Sequence, residues 1–250
     1  MSNNYVEKIK RFVVIKELHL LTEQDIWEIF DKSKAIILDG HFELLSKNHT
    51  DTFFRFSQIS QFPYLVAKIS KELVAWLKQS YEGSEIDVVL GPASQGMFFA
   101  YDIAREFNGE KGTRAVYAGI NRDTGRPTGK LIEGFEIKPN ENVLIVNDMT
   151  TTGSGLEILI RMAEERNAKV VGVCIFANRG LHEPKVDNIK NNYNFHSVID
   201  LNMPYWPKEE CNMKCPKGKD IIESKKINHL PIYNEEDAYT RLVQRLRLVA

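Results

Sequence analysis

The sequence predicts an α/β fold built on a parallel sheet with helices on both faces. Two observations carry that reading. From residue 86 onward, five short runs are almost continuously apolar: IDVVL (Ile86 to Leu90), RAVYAGI (Arg114 to Ile120), NVLIVN (Asn142 to Asn147), VVGVCIF (Val170 to Phe176) and HSVID (His196 to Asp200). A strand buried on both faces loses the in-out alternation of a half-exposed one, so such runs belong to a covered sheet. Helix-length segments, GMFFAYDIAREF and SGLEILIRMAEERN among them, separate most of the runs. Strands alternating with helices imply parallel strands joined by crossovers. A chain of 250 residues suits one such domain with additions and can bury a sizeable core.

Ahead of the first of these runs, Thr22 with Asp25 three residues on resembles a capping box and opens an amphipathic helix through about Ile37, broken at Asp39-Gly40. A second helix starts at Pro63, in its first turn, and carries Leu65, Val66, Ile69, Leu73, Val74, Trp76 and Leu77 at helical spacing. The last helix begins near Asn234, with Asp237 at the capping-box position, and continues through Tyr239, Leu242, Val243 and Leu246. The organisation expected is an N-terminal helical segment (1–40), a core (41–205) and a C-terminal extension with a terminal helix (206–250). There is no internal repeat and no low-complexity tract.

Charge excludes some partners. With 33 basic and 34 acidic residues and a net charge of −1, nothing draws the chain to nucleic acid or to an anionic membrane, so any anion site must be local. Neither nucleic acid nor membrane is expected as a partner. Three cysteines make no disulfide framework, no apolar run approaches the ~20 residues of a membrane span, and MSNNYVEKIKRF lacks signal or transit character. A cytoplasmic protein is expected.

In an open parallel sheet, ligands bind beyond the carboxyl ends of the strands. Two loops there are unusual. One is Gly91-Pro92-Ala93-Ser94-Gln95-Gly96, where small residues let a ligand approach the backbone. The other follows VLIVND: Thr150, Thr151, Thr152, Gly153, Ser154 and Gly155 offer hydroxyls and N–H groups at a helix N-terminus. That is the recipe for a phosphate cradle. It lacks the lysine of a G-x-x-x-x-G-K-[ST] loop and the G-x-G-x-x-G of a dinucleotide fold, which argues against ATP or NAD.

VLIVNDMTTTGSG, Val143 to Gly155, resembles the phosphoribosyl pyrophosphate (PRPP) signature of the type I phosphoribosyltransferases. GPASQG is similar to the pyrophosphate loop of the orotate-specific branch. GHFELLSKNHTDTFF (Gly40 to Phe54), GFEIKPNENVLIV (Gly134 to Val146), Phe176-Ala177-Asn178-Arg179 and the two-cysteine MPYWPKEECNMKC follow in the family's order, over roughly residues 40 to 215. The resemblance implies a type I phosphoribosyltransferase fold with a hood loop, an N-terminal segment and a C-terminal extension. It implies a homodimer whose substrates are PRPP and a heterocyclic base. The implied reaction is Mg²⁺-dependent transfer from PRPP to a ring nitrogen, with orotate as acceptor and orotidine 5′-monophosphate and pyrophosphate as products. Another heterocyclic acceptor, or a weakly catalytic PRPP- or nucleotide-binding regulator, is the alternative.

Site roles carry over by position. Asp148, with Asn147, would bind the ribose hydroxyls, and Asp148 would stabilise charge as the bond from C1 to pyrophosphate opens. Thr150 to Gly155 would hold the 5′-phosphate. Pro92, Ala93, Ser94, Gln95 and Lys47 would line the pyrophosphate, joined by Arg122 and Arg126 of NRDTGRPTGKLIE, which looks like the mobile hood loop. Lys130 in that loop would be a catalytic cation. Phe53, Phe54 and Arg179 would face the base. Mg²⁺ would arrive on PRPP rather than in a protein cage. The bland readings are a surface ion pair for Arg179, solvated loop charges for the three hood cations, and helix packing or a dimer face for Phe98, Phe99, Tyr101, Ile103, Ala104 and Phe107.

The chain also departs from the family. Asn147 stands where a second acidic residue is usual, and a unit charge lost ~4 Å from a developing cation forfeits ~1–4 kcal/mol, tenfold or more in rate. Gln95 replaces a glycine, Asn48 stands at a usual lysine beside Lys47, and Gly119-Ile120 replaces an acidic-basic pair. Cys211 and Cys215 have CxxxC spacing, but zinc would need two more ligands, such as His196 or His229, and no protein metal site is assigned.

Overall fold

A computed structural model describes residues 4–44, 46–81, 85–107, 112–121, 124–227 and 238–249. In chain order the strands are β1 (Val13–Ile15), β2 (Ile36–Ile37), β3 (Phe42–Glu43), β4 (His49–Thr50), β5 (Phe53–Phe54), β6 (Val88–Pro92), β7 (Arg114–Ile120), β8 (Pro127–Leu131), β9 (Asn142–Thr150), β10 (Lys169–Asn178), β11 (Phe195–Leu201) and β12 (Ile222–Glu223). The helices are α1 (Asn4–Ile9), α2 (Glu23–Ser33), α3 (Ser57–Ser60), α4 (Pro63–Ser80), α5 (Gly96–Glu106), α6 (Ser154–Glu164), α7 (Pro184–Asn192), α8 (Cys211–Lys214), α9 (Ser224–Ile227) and α10 (Ala238–Val249). The chain divides into two compact units. One holds Val13–Glu23 and Pro63–Leu201; the other gathers Met1–Phe12, Gln24–Phe62 and Asn202–Ala250.

The first unit is the sheet. Its seven strands run in the order β1-β11-β10-β9-β6-β7-β8. The five inner strands are parallel, while β1 and β8 pair antiparallel at the two edges. Val143 and Ile145 pack with Leu156, Leu159 and Ile160 of α6. Leu144 and Val146, which point the other way along β9, are equally buried. Both faces are therefore covered, which is why β9 reads as an unbroken apolar run. On that second face, Leu144 and Leu77 of α4 crowd Gly172, where an added Cβ would lie 3.3 and 3.4 Å from them. Truncating a core side chain such as Ile145 to alanine would cost about 2–5 kcal/mol.

The strand order fixes where a ligand can sit. From β6 the sheet grows through β7 and β8; from its neighbour β9 it grows the opposite way, through β10 and β11. Leu90 pairs with Ile145 across this reversal. Helices leaving the two strands diverge there, which opens a crevice at their carboxyl ends.

The second unit is built from short pieces. β12-β3-β4 form a three-stranded sheet and β2-β5 a ribbon. Its core holds Ile37, Phe42, Ile222, Ile227, Tyr239 and Leu242, and the Tyr239 hydroxyl donates to the Asp220 carbonyl at 2.6 Å.

Two expectations change. The helix opening near Thr22 stops at Ser33 rather than Ile37, because Lys34 turns left-handed (φ 49°) and Ile36–Ile37 pair with β5. Within the expected hood loop, Pro127–Leu131 form a strand on β7. The final helix is described from Ala238; Asn234 and Asp237 lie outside the described residues. Among the described residues no helix is long and apolar enough to cross a membrane.

Candidate active site

β9 carries Asn147, Asp148 and Thr150 to the crevice, and α6 starts four residues after Thr150. Gly153 makes the turn. It is left-handed (φ 77°), and a Cβ there would lie 3.0 Å from both Lys185 Cβ and Val186 N. Only glycine fits both demands. Thr151 and Thr152 are exposed, Ser154 and Gly155 half-buried, and the Thr152 hydroxyl donates to Ser154 Oγ at 3.3 Å. The first N–H groups of a helix have no partner within it, so the turn presents hydroxyls and amides together. It is braced from behind. Thr150 O accepts the Arg179 N–H at 2.9 Å, and Gly180 lies so close under the Thr151 carbonyl that a Cβ would collide with it.

The loop after β6 curls tightly. The Ala93 N–H donates to Ala118 O at 2.8 Å and the Ser94 N–H to Pro92 O at 2.7 Å, before Gln95 caps α5. At Gly91 a Cβ would lie 2.7 Å from Gly96 O; at Gly96 it would lie 2.5 Å from Pro92 Cδ and 2.8 Å from Asn147 Oδ1. Gly96 therefore brings the two loops into contact, over the side chain of Asn147. This glycine role is invisible in sequence, where Gly96 reads only as the end of GPASQG.

Asn147 and Asp148 differ in kind. Asn147 Nδ2 donates to Met149 O at 2.9 Å, and its Oδ1 is buried without a hydrogen-bond partner. A carboxylate at 147 would set an oxygen against the Met149 carbonyl, so the local geometry favours the amide. Asp148 is half-buried. Burial pushes its carboxyl up to about 6, against the pull of the Met149 N–H and its own, so it is ionised at neutral pH but close to titrating.

The β7–β8 hairpin brings a cation alongside. Arg126 is exposed, and with Ser154, Glu157, Arg161 and Lys185 it lines a groove of ≈ 510 Å³. A Cβ at Gly155 would lie 3.6 Å from Pro127 Cδ. Lys130 is exposed on β8, Arg179 is half-buried where β10 ends beside β9, and Arg122 lies outside the described residues.

The remaining candidates belong to the second unit. Lys47 sits left-handed (φ 68°) in the β3–β4 turn and pairs with Glu43 at 2.7 Å. Phe53 packs on Phe42, with ring centroids 5.6 Å apart. Phe54 is 4% exposed, with its ring 6.4 Å from that of Phe30. The pairing of β2 with β5 turns the Phe54 ring inward.

Two groups of metal-capable side chains occur among the described residues: His19, Glu72 and His196, and His41, His49, Cys211 and Cys215. In the first, Glu72 accepts the N–H groups of His19, Leu20 and Leu21 at 2.7–2.8 Å, and His196 stacks on Trp76, pushed down to about 4 chiefly by burial. That group is committed to holding its own chain. The partners of Cys211 and Cys215 are thus His41 and His49 rather than His196, and His229 lies outside the described residues. Asp148 belongs to neither group. A single ionised carboxylate fits a divalent cation that brings most of its oxygen ligands with it.

Comparison with known proteins agrees with this geometry. The phosphoribosyl transferase domain model matches residues 57–206. The orotate phosphoribosyltransferase of a Thermoanaerobacter species is 35% identical over 205 residues, spanning 81% of this chain and 97% of the relative. That of Caldanaerobacter subterraneus is 33% identical over 203 residues, spanning 81% and 97%. Among solved structures, orotate phosphoribosyltransferase from Mycobacterium tuberculosis in complex with inorganic phosphate superposes with a TM-score of 0.55 at 19% identity, over 71% of this chain and 96% of that one. At that identity the likeness speaks for the fold. With the domain model spanning more than half of its length, this chain belongs to the phosphoribosyl transferase family.

Proposed function

We propose that the protein transfers the phosphoribosyl group of PRPP to orotate, releasing pyrophosphate and forming orotidine 5′-monophosphate. The observation that carries this reading is the meeting of two loops at the β6/β9 reversal: a carboxylate and a threonine-glycine helix cap on one side, and a tight small-residue turn on the other. Relatives named orotate phosphoribosyltransferase cover nearly their whole length with this chain, and they supply the acceptor.

In this reading the turn from Thr150 to Gly155 holds the 5′-phosphate through N–H and hydroxyl donors. The Asp148 carboxylate binds the ribose hydroxyls and stabilises the cationic sugar as the bond from C1 to pyrophosphate breaks and the ring nitrogen bonds to C1. Pro92 to Gln95 pass their backbone along the pyrophosphate. Arg126 and Lys130 on the β7–β8 hairpin supply cations to the phosphates, and Arg179 pairs with an acidic group on the base. Mg²⁺ carried with PRPP would neutralise the leaving group, with Asp148 as the protein's carboxylate toward it. Exposed Met97, Phe98 and Tyr101 on α5 suit a homodimer face, and three free cysteines suit a reducing cytoplasm.

The test is pyrophosphate release from PRPP and Mg²⁺ across a panel of bases, read beside PRPP binding by calorimetry. Release with orotate is expected. Release with another base alone would replace the acceptor, and tight PRPP binding without release on any base would favour a regulator, with Asn147 as the reason.

A further inference from the structure

Four side chains from distant parts of the chain converge within the second unit. His41 precedes β3, His49 opens β4, and Cys211 and Cys215 begin and follow α8, one helical turn apart. His41 Nε2 is 3.1 Å from His49 Nδ1, Cys211 Sγ is 3.5 Å from His41 Nε2, and Cys215 Sγ is 3.5 Å from His49 Nδ1. All four ligand atoms lie within 4.8 Å of one another. With zinc bonds of about 2.3 Å to sulfur and about 2.0–2.1 Å to nitrogen, a tetrahedron has edges of about 3.4 Å between nitrogens and about 3.6 Å between nitrogen and sulfur. The one nitrogen–nitrogen and two nitrogen–sulfur distances above fall within a few tenths of an ångström of those values.

Proton bookkeeping points the same way. The outer nitrogen of His41, Nδ1, is 3.1 Å from the Lys219 carbonyl, which can only accept, so Nδ1 carries a proton and, in the neutral ring, Nε2 has the lone pair. The outer nitrogen of His49, Nε2, is buried without a hydrogen-bond partner and faces the Glu43 carboxylate at 3.8 Å. A carboxylate also favours a proton on the nitrogen facing it, which leaves His49 Nδ1 a lone pair as well. The two inner nitrogens then meet at 3.1 Å with a cysteine sulfur 3.5 Å from each, so four electron-pair donors crowd a space that a single cation can fill. Both outer nitrogens look like metal-site supports, which fix the tautomer and aim the inner nitrogen. Trp206 Nε1 donates to Cys215 Sγ at 3.1 Å, a hydrogen bond suited to a thiolate.

We propose that His41, His49, Cys211 and Cys215 form a closed, structural tetrahedral zinc site that ties the β3–β4 hairpin to the C-terminal segment. Two nitrogens and two thiolates select Zn²⁺ over Mg²⁺ or Ca²⁺, and with four protein ligands no position is open for substrate. The backbone already prepares the cross-link: His49 and Trp206 exchange N–H to carbonyl hydrogen bonds at 2.8 and 3.0 Å, and the Cys215 N–H donates to Cys211 O at 2.8 Å.

The test starts with elemental analysis of the full-length protein, purified without added metal and with thiols reduced. About one zinc per chain is expected, with less than a tenth of that in the Cys211→Ser, Cys215→Ser variant. Replacing zinc with Co²⁺ in the wild type should give the intense visible bands of a tetrahedral ion and a thiolate charge-transfer band, both absent from the variant. The cobalt spectrum needs only wild-type protein, so the proposal stays testable should the variant fail to fold. Three results would overturn it: wild-type protein without zinc that gives no tetrahedral cobalt spectrum, a folded serine variant that keeps its full zinc, or a Cys211–Cys215 disulfide in freshly purified protein.

Discussion

The two units use their polar side chains in opposite ways. In the sheet unit, the loops after β6 and β9 leave a half-buried carboxylate at Asp148 and exposed hydroxyls at Thr151 and Thr152. In the other unit, His41 and His49 are 4% and 0% exposed and turn their inner nitrogens on each other and on two sulfurs. The first pattern suits a ligand that comes and goes, since water can serve the groups between visits. The second suits an ion that stays, since two buried imidazoles and two sulfurs turn on one another where water has little access.

Substitutions can break this contrast. The largest effect is expected at Asp148: Asp148→Asn should lower the rate of pyrophosphate release about a hundredfold to a thousandfold with an unchanged circular dichroism spectrum. A rate within threefold of wild type would remove Asp148 from the chemistry. In the other unit, Cys211→Ser with Cys215→Ser should cost about 3 kcal/mol or more, about 6–12 °C in Tm. A thermal melt unmoved by these changes and by chelation would leave the cluster without a structural role.

Gly153→Ala comes next. At φ 77° with neighbours at 3.0 Å, the new methyl group should cost about 1–3 kcal/mol and weaken PRPP binding by calorimetry. Loss of stability with unaltered affinity would mean the turn does not hold the phosphate. The pH dependence is subtler. Because the Asp148 carboxyl sits at about 6, it is charged above that pH and neutral below it. One unit lower, about nine-tenths is protonated, so PRPP affinity should drop there by up to about tenfold. Asp148→Asn should remove this inflection, and an inflection that persists in the variant would belong to another group. The smallest effect is expected at Asn147. Asn147→Asp exchanges the donor to Met149 O for an acceptor and should lower stability by about 1–2 kcal/mol. A rise in turnover of tenfold instead would show that the second carboxylate was the missing element.

The two units were also unequally legible in the sequence. β6, β9, β10 and β11 stand out because both faces are buried, and the loops at their ends carry small residues and hydroxyls whose chemistry is local. Asn147 could be seen to lack a charge, but its amide bridge to Met149 and its place beneath Gly96 need the register of β6 on β9. The second unit leaves fainter traces. β2, β3, β4, β5 and β12 have two residues each, too few to show a period. His49 and Cys215 meet across 166 positions, where spacing says nothing. The available signal was a pair of cysteines at CxxxC spacing together with two histidines in one short polar hairpin; proximity came only with the folding of the C-terminal segment, where β12 pairs with β3.

A crystal structure of the protein with PRPP and Mg²⁺ would show directly which residues hold the sugar phosphate. The 5′-phosphate should lie on the amides and hydroxyls between Thr150 and Gly155, with the ribose hydroxyls on Asp148. PRPP bound elsewhere, with the β9 turn empty at saturating ligand, would contradict it.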